Sequence, residues 1–194
     1  MKGKSTRLII LFLLICFLSL AGCSPPKVPE INWGTNLPVS SFEPDFSPSL
    51  WNDGGRIQYS TNCYAYALNM REGFPQGEKP QPGDLSGNRI TELSADAIVE
   101  AATADAEATG RTFEPAPPNE PCSSGTYKVA LVIAPNIDYH WYRQNPDGTW
   151  SHKPGHSKVK NTDSSGNIIN DPRTADRSGP PNYKNFEGFY CVGP

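Results

Sequence analysis

The chain has 194 residues, 37% hydrophobic and 19% charged, enough for one domain of ordinary size and too few for two large ones. Twenty Pro and seventeen Gly exclude a helical bundle and favour short strands joined by turns. No apolar window long enough to cross a bilayer lies beyond Cys23, which excludes a polytopic membrane protein. A net charge of −3, with no basic stripe, zinc-finger spacing or Gly-rich phosphate loop, argues against nucleic acid as a partner and against nucleotide chemistry.

Lys2, Lys4 and Arg7 precede an apolar run over residues 8–20, the order of an export signal. The run ends in Leu20-Ala21-Gly22-Cys23, which resembles a bacterial lipobox. The resemblance implies cleavage before Cys23 and acylation of its thiol, and Ser24 is similar to the residue in that place in lipoproteins sent to an outer membrane. On that reading residues 1–22 are a signal peptide, and the acyl chains anchor the protein in the membrane of a bacterial envelope. Residues 24–50 carry Pro25, Pro26, Pro29, Pro38, Pro44 and Pro48 with little periodicity. Residues 23–50 therefore read as the lipidated Cys and an extended tether, and 51–194 as the folded domain.

From Asn62 the run Cys63-Tyr64-Ala65-Tyr66-Ala67-Leu68-Asn69-Met70-Arg71 is rich in helix formers, with Ser60, Thr61 and Asn62 available as caps, so Cys63 falls at a helix start. Pro75, Pro80 and Pro82 discourage regular structure until about Ile90. Ser94 to Ala108 then reads as an Ala-rich helix stopped by Gly110, with a Pro-rich loop after it over 114–125. Residues 126–134 are β-branched and apolar enough for a central strand. Asp138 to Gln144 and Thr149 to Lys153 flank Asn145-Pro146-Asp147-Gly148, a hairpin signal, and 157–160, 167–169 and 186–192 supply further strands. Helices first and a meandering antiparallel sheet afterwards make an α+β domain.

Of five cysteines, Cys16 leaves with the signal and Cys23 is the lipidation site, so Cys63, Cys122 and Cys191 remain in an oxidising compartment. Cys122 and Cys191 flank or occupy strands where a disulfide closes a long loop, and Cys63 is left over as a free thiol. A thiolate is a good nucleophile when a helix start or an imidazole lowers its pKa. The chain's three histidines, His140, His152 and His156, all fall on or beside the one predicted hairpin. With Pro146-Asp147 at the centre of a type I turn and Gly148 in the bulge, Asn145 opposes Thr149, Tyr142 opposes His152 and His140 opposes Pro154. His140 and His152 then share one face, close enough for one ring to fix the tautomer of the other. A two-residue loop would instead turn His152 to the opposite face and leave Asp138, Asn161 or Asn170 to orient His140.

The order of Cys63, His140 and His152 resembles that of papain-like cysteine hydrolases, especially the NlpC-type and CHAP-like bacterial cell-wall amidases and peptidases. The likeness covers about residues 60–170. It implies a papain-like α+β fold, N-terminal helices carrying the thiol packed on a C-terminal antiparallel sheet carrying the imidazole. It also implies Cys63 as nucleophile, His140 as base and His152 as orienting residue. Gln58, Tyr59 and Asn62 are the oxyanion candidates, although Gln58 lies five rather than six residues upstream and Asn62 replaces the usual acidic neighbour. The expectation is a lipid-anchored envelope thiol hydrolase cleaving an amide, in cell-wall peptide, without a cofactor and with peptide or peptidoglycan as substrate. The rivals are a catalytically silent peptide- or glycan-binding lipoprotein and a thiol acyltransferase. Zinc on Cys63 and the histidines is the weaker alternative, because His-x3-His suits a helix better than a strand end. Tyr139, Trp141, Tyr142 and Trp150 line a groove or, in the plainer reading, pack across the hairpin.

Overall fold

Residues 36–75 and 79–194 are described by the computed structural model; the predicted signal peptide and the lipidation of Cys23 lie outside them. Pro48 opens a one-turn helix, α1 (Pro48–Trp51), and α2 (Arg56–Ser60) comes next. The Asp53 carboxylate accepts from the backbone N–H groups of Gly55, Ile57 and Gln58, satisfying donors that the start of α2 leaves open. The predicted thiol helix is α3 (Cys63–Ala67), shorter than the run of helix formers because Asn69 adopts a φ of 52° and turns the chain away. The Ala-rich segment is α4 (Ala95–Ala108), where the Ser94 side chain accepts from Ala97 N–H, and Gly110 ends it at a φ of 67°.

Five strands form one antiparallel sheet: β1 (Thr112–Ala116), β2 (Tyr127–Ala134), β3 (Asp138–Gln144), β4 (Trp150–Ser151) and β5 (Asn185–Gly193), in the order β1-β5-β2-β3-β4. The molecule is thus an α+β domain. All eight residues of β2 are buried, and the pleat sorts them to two faces. Val129, Leu131 and Ile133 meet α3 and α4 through Tyr64, Leu68, Ile98 and Ala102, whereas Ala130 and Val132 meet Leu37, Tyr142, Trp150, Ile169 and Phe189. Each buried Val, Leu or Ile among them stabilises the fold by about 1.5–3 kcal/mol.

Two expectations about the chain path are corrected. Residues 36–50 are not a free tether: Leu37 is buried in the second core, its carbonyl accepts from Gln144 Nε2, and Ser40 Oγ donates to Thr126 O. The Pro-rich segment after residue 112 begins as a strand, β1, paired with β5 from Thr112↔Gly193 to Ala116↔Phe189. Pro115 is tolerated there because β1 is an edge strand, with one side free of ladder bonds. The hairpin has the expected register, Gln144↔Trp150 and Arg143↔Ser151, with Gly148 at a φ of 81°. The strands expected over 157–160 and 167–169 are instead isolated bridges, His152↔Lys160, Thr162↔Ile168 and Trp150↔Ile169, because β4 ends at Ser151. Cys122 and Cys191 are joined, with a sequence separation of 69, and Cys63 is free.

Candidate functional site: a thiol and two imidazoles

The helix that carries Cys63 is fixed to the strand that carries His140 by a buried cation. Arg143 is fully buried, donates to Tyr66 O at 3.2 Å and Asn69 Oδ1 at 2.9 Å, and lies 3.9 Å from the Tyr66 ring centroid. Tyr66 Oη in turn meets Ser151 Oγ at 2.7 Å, so α3, β3 and β4 are locked in one arrangement. A second buried cation fixes the approach to α3: Lys153 Nζ donates to Gln58 O, Thr61 O and Gly155 O at 2.7–2.8 Å. The first two are carbonyls that the end of α2 leaves without helical partners. Burial pulls the Lys153 ammonium down to about 8.

On this frame Cys63 and His140 line one cavity of about 270 Å³, together with Asn62, Lys79, Gln81, Asp138 and Tyr183. His140 Nε2 is 2.7 Å from His152 Nδ1, and His152 Nε2 is 3.1 Å from Thr162 O. A carbonyl only accepts, so His152 carries its proton on Nε2 and accepts at Nδ1. His140 therefore donates from Nε2 and keeps Nδ1 as its basic nitrogen. Burial holds both rings neutral, His140 well below its ordinary value and His152 at about 4, with the nearby His152, Lys160 and Arg177 adding to the effect on His140.

The thiol differs from the expectation of a lowered pKa. Burial pushes Cys63 up to about 12, and backbone hydrogen bonds from Trp141, Tyr64 and Cys63 itself only partly oppose this. The helix start offsets this only weakly, because α3 is a single short turn and the Asn62 carboxamide already accepts from Tyr64 N–H and Ala65 N–H at 3.1 and 3.2 Å. The thiol and the imidazole that line this cavity are therefore both neutral at rest.

The oxyanion candidates are dispersed. Asn62 lines the cavity, but its Nδ2 donates to Pro80 O at 2.7 Å and its Oδ1 is engaged in capping. Gln58 is buried with Oε1 unpartnered and lies outside the residues that line the cavity. Tyr59 is 57% exposed and meets the ring of His156, which sits apart from the other two histidines. Among the described residues no group of three or more His, Cys, Asp and Glu is placed to hold a metal ion. The aromatics divide: all four are buried, Trp141 and Trp150 as core packing, while Tyr139 and Tyr142 each also line a cavity.

One member of the site carried no signal in the sequence. Tyr183, in the segment before β5, lays its ring 5.4 Å from that of His140 and donates to Asp138 Oδ2 at 2.8 Å. Its neighbours Gly179-Pro180-Pro181-Asn182 have no periodicity from which a contact with β3 could be read.

No protein-family model matches the chain, and no solved structure matches it. Insoluble matrix shell protein 1 of Ruditapes philippinarum is 42% identical over 150 residues, which cover 77% of this chain and 90% of that protein. This finding overturns the lipid-anchored thiol hydrolase of a bacterial envelope, together with its lipoprotein and acyltransferase rivals, its cell-wall substrate and its outer-membrane location. The lipobox and the papain-like order rest on a few positions each, whereas the identity to a shell matrix protein runs through most of the chain. The chain belongs to the family of insoluble matrix shell protein 1.

Proposed function

We propose that the chain is a structural protein of an insoluble extracellular matrix. The observation that carries this reading is the relative's identity over nine-tenths of its own length, which makes the shared region nearly the whole of a protein named for such a matrix. The basic and apolar N-terminal segment supports export, and the Cys122–Cys191 disulfide suits an oxidising environment. Fractionation of native extracellular material with an antibody against the chain tests it. The protein should resist buffer, high salt and mild detergent and appear only with denaturant. Recovery in the first aqueous extract overturns the reading.

The 2.7 Å contact between the two imidazoles favours a second, site-level reading. We infer that the domain has a papain-like arrangement in which Cys63 is a nucleophilic thiol, His140 the base that takes its proton and His152 the residue that orients His140. The support is a thiol on a helix start that shares a cavity with a tautomer-fixed imidazole. Alkylation of Cys63 by iodoacetamide near pH 7.5 should slow on the order of 10²-fold in His140→Ala. Equal rates in the two proteins sink the site reading and leave the matrix reading untouched.

A further inference from the structure

His140 is shared between two cavities. On its other side lies a space of about 230 Å³ whose floor is His140, Tyr142 and His152 and whose walls include Lys160, Arg177 and Ser178. The charges around this second cavity are unbalanced in a specific way. Arg177 is held by neutral groups, donating from Nε to Tyr183 O at 2.8 Å and from Nη1 to Pro172 O, and among the described residues it makes no ion pair. The Lys160 ammonium has no hydrogen-bond or ion-pair partner among the described residues, although the Lys160 backbone is pinned to His152 by bonds in both directions at 2.9 and 3.0 Å. The one carboxylate in the wall, Asp176, is turned to its own loop, where Ser165 Oγ, Ser178 N–H and Ser178 Oγ occupy it. The cavity therefore carries two cations, Lys160 and Arg177, against one carboxylate, Asp176, whose charge acts on Arg177, so the Lys160 ammonium is left unmatched over a floor of neutral rings.

We propose that this cavity is a subsite for a carboxylate side chain of an acidic peptide, one whose adjoining backbone crosses His140 toward Cys63. The shared lining of the two cavities, His140, Pro154 and Tyr183, gives such a peptide a continuous path. Arg177 supplies a guanidinium already oriented by two carbonyls, so little further ordering is needed when a carboxylate arrives. Lys160 supplies a mobile ammonium that closes on it. The same two charges lie close enough to disfavour protonation of His140, consistent with an electropositive space above that ring. This inference goes beyond the matrix reading and does not depend on Cys63 being reactive.

The test uses the purified full chain and two probes, acetyl-Gly-Ala-Ala-Glu-Ala-amide and its Gln counterpart, monitored by NMR shifts of the His140 and His152 rings at pH 7 in 0.15 M salt. The Glu peptide should bind about fivefold more tightly than the Gln peptide, the size of a partly exposed charge pair. Lys160→Gln should abolish that preference while leaving the circular dichroism unchanged, because its side chain has no partner to lose. Lys158→Gln, outside the cavity lining, should retain the preference. Equal shifts from both peptides, no binding by either, or an equal loss in Lys158→Gln each overturn the proposal.

Discussion

His152 Nδ1 accepts from His140 Nε2 at 2.7 Å while its own Nε2 donates to Thr162 O, so a backbone carbonyl outside the cavity sets which nitrogen of His140 is basic. The prediction is spectroscopic. At pH 7 His140 should show a pyridine-like Nδ1 and a pyrrole-like Nε2 in long-range proton–nitrogen correlations, and His152 the same pattern. His152→Ala should release His140 into a mixture of tautomers and slow Cys63 alkylation, by less than His140→Ala does. An Nε2-basic His140 in the unsubstituted protein contradicts the relay.

Acid should destabilise the fold before the carboxylates matter. Both imidazoles are held below 6.5 in the folded protein, His152 at about 4, and regain the ordinary value on unfolding. The unfolded chain then binds more protons once the pH falls below about 6.5. Stability is full above that value and is lost as the pH drops toward the folded-state values, by on the order of 3 kcal/mol at most for His152. Urea midpoints should fall between pH 6.5 and 5. A flat profile in that window would show that the rings are not kept neutral.

Removing the disulfide in Cys122→Ser/Cys191→Ser should lower stability by about 4 kcal/mol, since the bridge closes a loop with a sequence separation of 69. Thermal unfolding with and without reductant measures it. The unsubstituted protein under reductant should match the double variant.

Lys153→Met should be among the most damaging single substitutions, costing roughly 3 kcal/mol or more. It strands the carbonyls of Gln58, Thr61 and Gly155, which the ammonium now satisfies. Denaturant unfolding gives the loss, and Lys158→Met, whose side chain is exposed, is the neutral comparison.

The features legible in the sequence are those that local chemistry dictates. Asn62 before Cys63 and Ser94 before an Ala-rich run mark helix starts, Asn145-Pro146-Asp147-Gly148 fixes the hairpin register, and that register brings His140 and His152 together. The odd cysteine count separates Cys63 from the Cys122–Cys191 pair. The features hidden from it depend on non-local partners. Leu37 among prolines shows no period, yet it fills the second core. Lys128, Arg143 and Lys153 look like surface charges, and each is buried against carbonyls supplied from elsewhere in the chain. The raised Cys63 pKa comes from burial, which depends on the non-local packing of α3 against the sheet. The bacterial lipoprotein reading leaned on four residues at the end of a leader, whereas the relationship to a shell matrix protein extends over 150 residues.

The sheet order β1-β5-β2-β3-β4 also bears on how such a domain can sit in an insoluble material. One margin is β1, with Pro115 withholding an N–H, and the other is β4, two residues long before the chain breaks into isolated bridges. Among the described residues the free side of β1 is short and interrupted at Pro115, and β4 is only two residues long, so both margins are poor templates for strand-by-strand stacking of the cross-β kind. On the proposed matrix reading, copies of this domain stay folded and meet through their outer surfaces rather than by sheet extension.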